Sequence, residues 1–233
     1  YGFEEYKISR KQYDLVILSN INLKNLKKLN LSGNRKINIK SLENMNFSEL
    51  KKLYLSRNDV MIEELRNFKF PKLEKLDLCS NFINKLEGLE NISFENLKCL
   101  DLGCNRILDL SVLGKLNLKK LKILNLYSNK ISDIRLLEKS NFPNLEKLNL
   151  SHCKISNIDS LPYFKYVKLK YLDLSSNYIT DISILEKFKF DNLEGLYLGS
   201  NRISDISIFE KVQLEKLKTL SLRENKISNI SVL

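Results

Sequence analysis

Leucine recurs along this chain at the first, fourth and sixth places of a repeating unit. The first leucines of successive LxxLxL units are Leu26, Leu50, Leu73, Leu97, Leu121, Leu145, Leu169, Leu193 and Leu217. The steps between them are 24, 23 and then six of 24 residues, and all three places hold Leu in all nine copies. A fixed period of this length marks stacked supersecondary units. From the fourth place to the sixth the apolar period is two. Both leucines therefore point one way and the residue between them points the other, which predicts a short strand. A single coil of this kind cannot bury its apolar edge, so each must stack on the next.

The rest of the unit predicts the return path. An asparagine follows each strand, at Asn34, Asn58, Asn81, Asn105, Asn129, Asn177, Asn201 and Asn225, with Cys153 in the sixth repeat. Its amide can satisfy backbone groups that a sharp turn leaves unpaired, and stacked copies would form a ladder. Ile179, Ile182 and Leu185 are then spaced by three, which suits a short helical stretch. Ser183 with Glu186, and Ser207 with Glu210, match the S-x-x-E capping box. Three residues before each later first-place leucine stand Phe47, Phe70, Phe94, Leu118, Phe142, Tyr166, Phe190 and Leu214, a predicted packed spine. The first two repeats are less regular in this part. Residues 1–22 do not fit the frame, yet YDLVIL is apolar enough to cap the first coil. The frame predicts an array over 23–233 whose ninth repeat is cut short, implying a longer native chain.

The stretch LxxLxLxxNxIxDIxxL resembles the leucine-rich repeat family. That resemblance implies an α/β repeat solenoid: a right-handed horseshoe with a concave parallel sheet and short helices or 3-10 turns on the convex side. Its NxIxDIxxL portion is similar to the intracellular phosphatase-regulator type and to bacterial internalins. The implied function is protein binding through the concave face, within a larger protein or as a regulatory or scaffolding subunit, such as a phosphatase regulator.

If Leu and Asn build the scaffold, function sits at the third, fifth and seventh places, which face outward. In the first three repeats the third place aligns Lys28, Lys52 and Lys75 as a basic stripe. The predicted partner-binding residues are Tyr54, Asp77, Cys99, Asp101, Ile123, Tyr127, Tyr171, Asp173 and Tyr197. Exposed aromatics beside polar groups are a common make-up of protein-binding surfaces. Asp77 and Asp101 are expected side by side, as a polar rim and not as an acid–base pair, since no histidine joins them. His152 is the only histidine, too few for a triad or a zinc site. No phosphate-binding or dinucleotide motif occurs. The expectations are no enzyme activity, no cofactor and no metal.

Composition changes this picture in two respects. The formal net charge is +11, with 39 Lys and Arg against 28 Asp and Glu. This admits an alternative, nucleic acid or anionic phosphates along the basic stripe, beside a purely structural spacer. Lys and Glu are interleaved, however, and the richness in Lys, Asn and Ile also follows from an AT-rich genome. The four cysteines lie inside repeats, and two of the N-x-S triplets, at Asn30 and Asn149, fall on predicted strands, so the expected compartment is cytoplasmic or nuclear. No apolar run is long enough for a transmembrane helix, and the N-terminus has no signal-peptide layout.

Overall fold

In a computed structural model of the chain, residues 4–7, 23–35, 37–189 and 191–232 are described. Ten strands form one parallel sheet in sequence order. They are β1 Glu5–Lys7, β2 Lys28–Asn30, β3 Lys52–Tyr54, β4 Lys75–Asp77, β5 Cys99–Asp101, β6 Ile123–Asn125, β7 Lys147–Asn149, β8 Tyr171–Asp173, β9 Gly195–Tyr197 and β10 Thr219–Ser221. Strands β2 to β10 are the third to fifth places of the repeats. β1 precedes the first LxxLxL unit and pairs with β2, Tyr6 opposite Leu29. The N-terminal flank thus adds a strand that the leucine frame does not contain. YDLVIL, Phe190 and Leu233 lie outside the described residues.

The register follows from the leucine frame. Leu29 faces Leu53, Leu53 faces Leu76, and so on through Leu172 and Leu196. A slip by one residue would turn every leucine outward, so burial on one side fixes the pairing. These central leucines are no more than 2% exposed, each contributing about 1.5–3 kcal/mol relative to an exposed side chain. At the C-terminal end Leu217, Leu220 and Leu222 are only partly buried.

After the seventh place the chain turns sharply. The next residue is left-handed in each repeat: Gly33 at φ +79°, then Arg57, Ser80, Cys104, Ser128, His152, Ser176, Ser200 and Glu224 at φ +51° to +59°. That conformation costs a non-glycine residue roughly 1–2 kcal/mol, and the asparagine that follows offsets it. Asn177 Nδ2 donates to the carbonyls of Leu174 and, one repeat earlier, Leu150, both at 2.9 Å. Its Oδ1 accepts from Ile155 N–H at 3.0 Å. The same bonds recur at Asn81, Asn105 and Asn201. At the exceptional rung, Cys153 Sγ approaches Leu126 O at 3.5 Å, and burial pushes its thiol up to about 11.

The return path uses 3-10 turns from Ile39–Leu42 to Ser207–Glu210, short as this geometry usually is. The predicted capping boxes at Ser183/Glu186 and Ser207/Glu210 do not form. Each serine is the first residue of its turn, not the cap, and the cap residues Ile182 and Ile206 make no side-chain bond to it. Asp181 and Asp205 act instead, their Oδ1 atoms accepting Ser183 N–H and Ser207 N–H at 2.8 Å. A backward-reaching glutamate occurs elsewhere: Glu64 accepts Met61 N–H at 2.9 Å.

The aromatic spine is buried at Phe47, Phe70, Phe94, Phe142 and Tyr166. Phe68 and Phe164, two places earlier in their repeats, pack on it, Phe68 stacked on Phe70 at 5.3 Å and Phe164 tilted against Tyr166 at 5.1 Å between ring centroids. Where the spine takes a tyrosine, the polar end is matched: Tyr166 Oη lies 2.5 Å from Ser140 Oγ. Burial holds that phenol well above its usual range.

Candidate concave-face binding surface

Three groups of side chains occupy the outward side of the sheet. In the first, Lys28, Lys52 and Lys75 stand on adjacent strands in register, as the repeat frame predicts. Tyr54 lies between them, its ring centroid 5.9 Å from Lys28 Nζ and 5.0 Å from Lys75 Nζ. Lys28 also pairs with Glu5 of β1 at 2.5 Å, and that bond raises its pKa. The added strand therefore partly neutralises the stripe.

In the second group, Asp77 and Asp101 are register partners on β4 and β5. Asp77 Oδ1 accepts Cys79 N–H, and Asp101 Oδ1 accepts Gly103 N–H, both at 3.0 Å. Asp173 does the same for Ser175 at 2.9 Å. The fifth-place carboxylates thus hold the strand ends as well as facing solvent. Burial raises the Asp77 pKa, with a smaller push from Asp101; the Cys79 N–H and Lys75 oppose both. Cys99 pairs with Lys75 on one side and Ile123 on the other. Tyr127 lies flat over Gly103, where an added Cβ would come within 2.1 Å of its Cε1. Its hydroxyl reaches back two repeats to Cys79 Sγ at 3.2 Å. That bond, then burial, lifts the phenol far above its usual range.

The third group centres on Gly195. A Cβ there would meet Tyr171 Cδ1 at 2.9 Å and Tyr197 Cε2 at 3.0 Å, so the two rings converge over the glycine. Lys147 Nζ sits 4.7 Å from the Tyr171 ring centroid, and Tyr171 Oη donates to Glu194 at 3.3 Å. Lys147, Gly103 and Gly195 are parts of these groups that the predicted residue set lacks. Their signal was in the columns, a glycine one repeat away from a tyrosine.

Along the edge of the sheet, the second-place residues form ion pairs across repeats: Lys98–Glu74 at 2.9 Å, Lys122–Glu146 at 2.9 Å, Lys170–Glu146 at 3.4 Å and Lys218–Glu194 at 2.8 Å. These lysines hold the glutamates below the usual carboxylate range. The interleaving of Lys and Glu in the sequence is thereby expressed as contacts. All four cysteines are free thiols. Among the described residues no group of three or more His, Cys, Asp or Glu is placed to hold a metal ion.

The family profile for leucine rich repeats (2 copies) matches residues 71–115, 119–163, 143–187 and 191–233. No curated protein matches the sequence significantly. Among solved structures, the chain is similar to an internalin (InlF) of Listeria monocytogenes, at 27% identity and TM-score 0.68 over 94% of this chain and 67% of that one. Internalin C2 of the same organism matches at 26% identity and TM-score 0.68, covering 84% and 85%. A leucine-rich repeat protein of Leptospira interrogans matches at 30% identity and TM-score 0.73, covering 90% of this chain and 52% of that one. The chain spans about half the length of the Leptospira protein.

Proposed function

Because the chain belongs to the leucine-rich repeat family, a non-enzymatic scaffold whose fold is typical of protein–protein interaction, we propose that it binds a partner protein through its concave face. The observation that carries this reading is the pair of tyrosines, Tyr171 and Tyr197, converging over Gly195 with Lys147 beside them. Rigid aromatic groups seated on a preformed backbone lose little freedom on binding, and such residues dominate binding energy at interfaces. Tyr127 over Gly103 extends the same surface toward the middle of the sheet.

The basic stripe is a poorer ligand track, since Lys28 is engaged by Glu5 and both Lys28 and Lys75 flank Tyr54. The narrower role, a phosphatase regulator, draws only on the NxIxDIxxL stretch. Four thiols without a disulfide support a reducing compartment, cytoplasmic or nuclear, as part of this reading.

The test is affinity capture from a source extract at low and high salt, with a Tyr171→Ala/Tyr197→Ala bait of unchanged melting temperature in parallel. A discrete protein retained at high salt and lost with the variant is the expected result. Binding that vanishes with salt and ignores the variant contradicts it. Indifference to every concave substitution would leave a structural spacer.

A further inference from the structure

Beyond the asparagine ladder, each repeat places one residue on the rim of the solenoid, just outside the concave face. From the fourth repeat on this row reads Arg106, Lys130, Lys154, Tyr178, Arg202 and Lys226. Each donates its backbone N–H to an isoleucine carbonyl of the repeat before, from Arg106 to Ile83 at 2.7 Å through Lys226 to Ile203 at 2.8 Å. A second ladder thus holds the row in line at about the 4.8 Å strand spacing. All six side chains are exposed. Five are cations, and none of the five forms an ion pair among the described residues. The second-place lysines Lys98, Lys122, Lys170 and Lys218 are, by contrast, all paired.

Two of the cations are further organised. The Arg106 guanidinium stacks 4.6 Å from the Phe82 ring centroid, and Arg202 lies 4.5 Å from that of Tyr178. Stacking fixes the guanidinium plane and leaves its N–H edges free for a bidentate anion. The rings remain 56% and 44% exposed, so each stack also offers an apolar shoulder.

We infer that this rim row binds an extended acidic peptide segment of a protein. From Arg106 to Lys226 the row spans roughly 24 Å at the strand spacing. An extended peptide sets same-side carboxylates about 6.8 Å apart, so about four of them fit along it. Nucleic acid fits less well. Phe82 and Tyr178 are four repeats apart, about 19 Å, each with a face covered by arginine, so successive bases have no stacking platform. Exposed Asp109 and Asp205 follow three residues after Arg106 and Arg202, and exposed Asp181 three after Tyr178, and these would repel a wide phosphate backbone. This inference stands apart from the concave-face reading, because none of its residues lies on the sheet.

The test is anisotropy of a labelled oligoglutamate peptide, with single-stranded RNA in parallel. The row variant is Lys130→Gln/Lys154→Gln/Arg202→Gln. The control, Lys98→Gln/Lys122→Gln/Lys218→Gln, loses the same charge from the sheet edge, and the concave variant Tyr171→Ala/Tyr197→Ala retains all of it. Peptide affinity is expected to fall about tenfold in the row variant and less than about twofold in the other two. Lys154→Glu alone is expected to act in the same direction as the row variant. Equal losses in both charge variants would reduce the effect to net charge and overturn the inference. So would failure of the wild type to bind the peptide, or tighter binding of RNA through the same row.

Discussion

In strand β8, Leu172 is wholly buried, while its neighbours Tyr171 and Asp173 stand half-buried on the other side. The two sides carry different information. Inward, every repeat gives the same leucines, because each must fit leucines above and below, and every repeat but the sixth sets an asparagine against fixed carbonyls. Outward, nothing requires uniformity, and the side chains organise in local groups: lysines about Tyr54, carboxylates and thiols about Tyr127, two rings over Gly195. The outer side is nonetheless packed in places, so it is a built surface and not a merely solvated one.

The sharpest break in this comparison is a pair of changes in one strand. Leu148→Ala is expected to cost about 2–5 kcal/mol, and Lys147→Ala, next to it, less than about 0.5 kcal/mol, both by urea denaturation. Gly103→Ala tests whether the outer side is packed. The added methyl must displace the Tyr127 ring, and a loss of roughly 1–3 kcal/mol is expected. That loss should largely vanish when Tyr127→Ala is added, whereas an inert surface would show no such coupling.

The ladder offers a change of opposite sign. Cys153→Asn replaces a weak sulfur contact with the amide bonds of neighbouring rungs, and a gain of about 1 kcal/mol is expected. The smallest effect concerns pH. Burial and Asp101 raise the Asp77 pKa in the folded chain, so its ionised form disfavours folding above that pKa, and the penalty fades as pH falls through the folded value and is gone below the unfolded one. Asp77→Asn keeps an acceptor for Cys79 N–H. It is expected to stabilise the fold at neutral pH by up to about 1 kcal/mol, and the difference from wild type should shrink as pH falls toward about 4 and be lost below it. A difference that grows toward acid would contradict the sign.

The inner side of the nine repeats was legible in the sequence: the leucine frame placed β2 to β10, their register and the ladder. Strand β1 was not, because Tyr6 substitutes for leucine in a flank that lacks the frame. The capping serines were misread because the 3-10 turn starts at the serine itself, which leaves the aspartate two residues earlier within reach of its N–H. The left-handed corner was hidden because only Gly33 among its nine residues gives a glycine signal; four are serines and the rest Arg57, Cys104, His152 and Glu224. On the outer side, a period of two tells which way Tyr127 or Tyr171 points, but not that each leans over a glycine in the adjacent repeat. Nor did it single out the rim row, whose cations lie past the asparagine, outside the strand columns.

The concave reading is tested most directly by hydroxyl-radical footprinting of the captured complex against the free chain. Protection of Tyr171 and Tyr197, with no change at Tyr163, which is 65% exposed outside the sheet, is the expected result. Protection confined to Tyr163, or none on the concave tyrosines, would contradict the account.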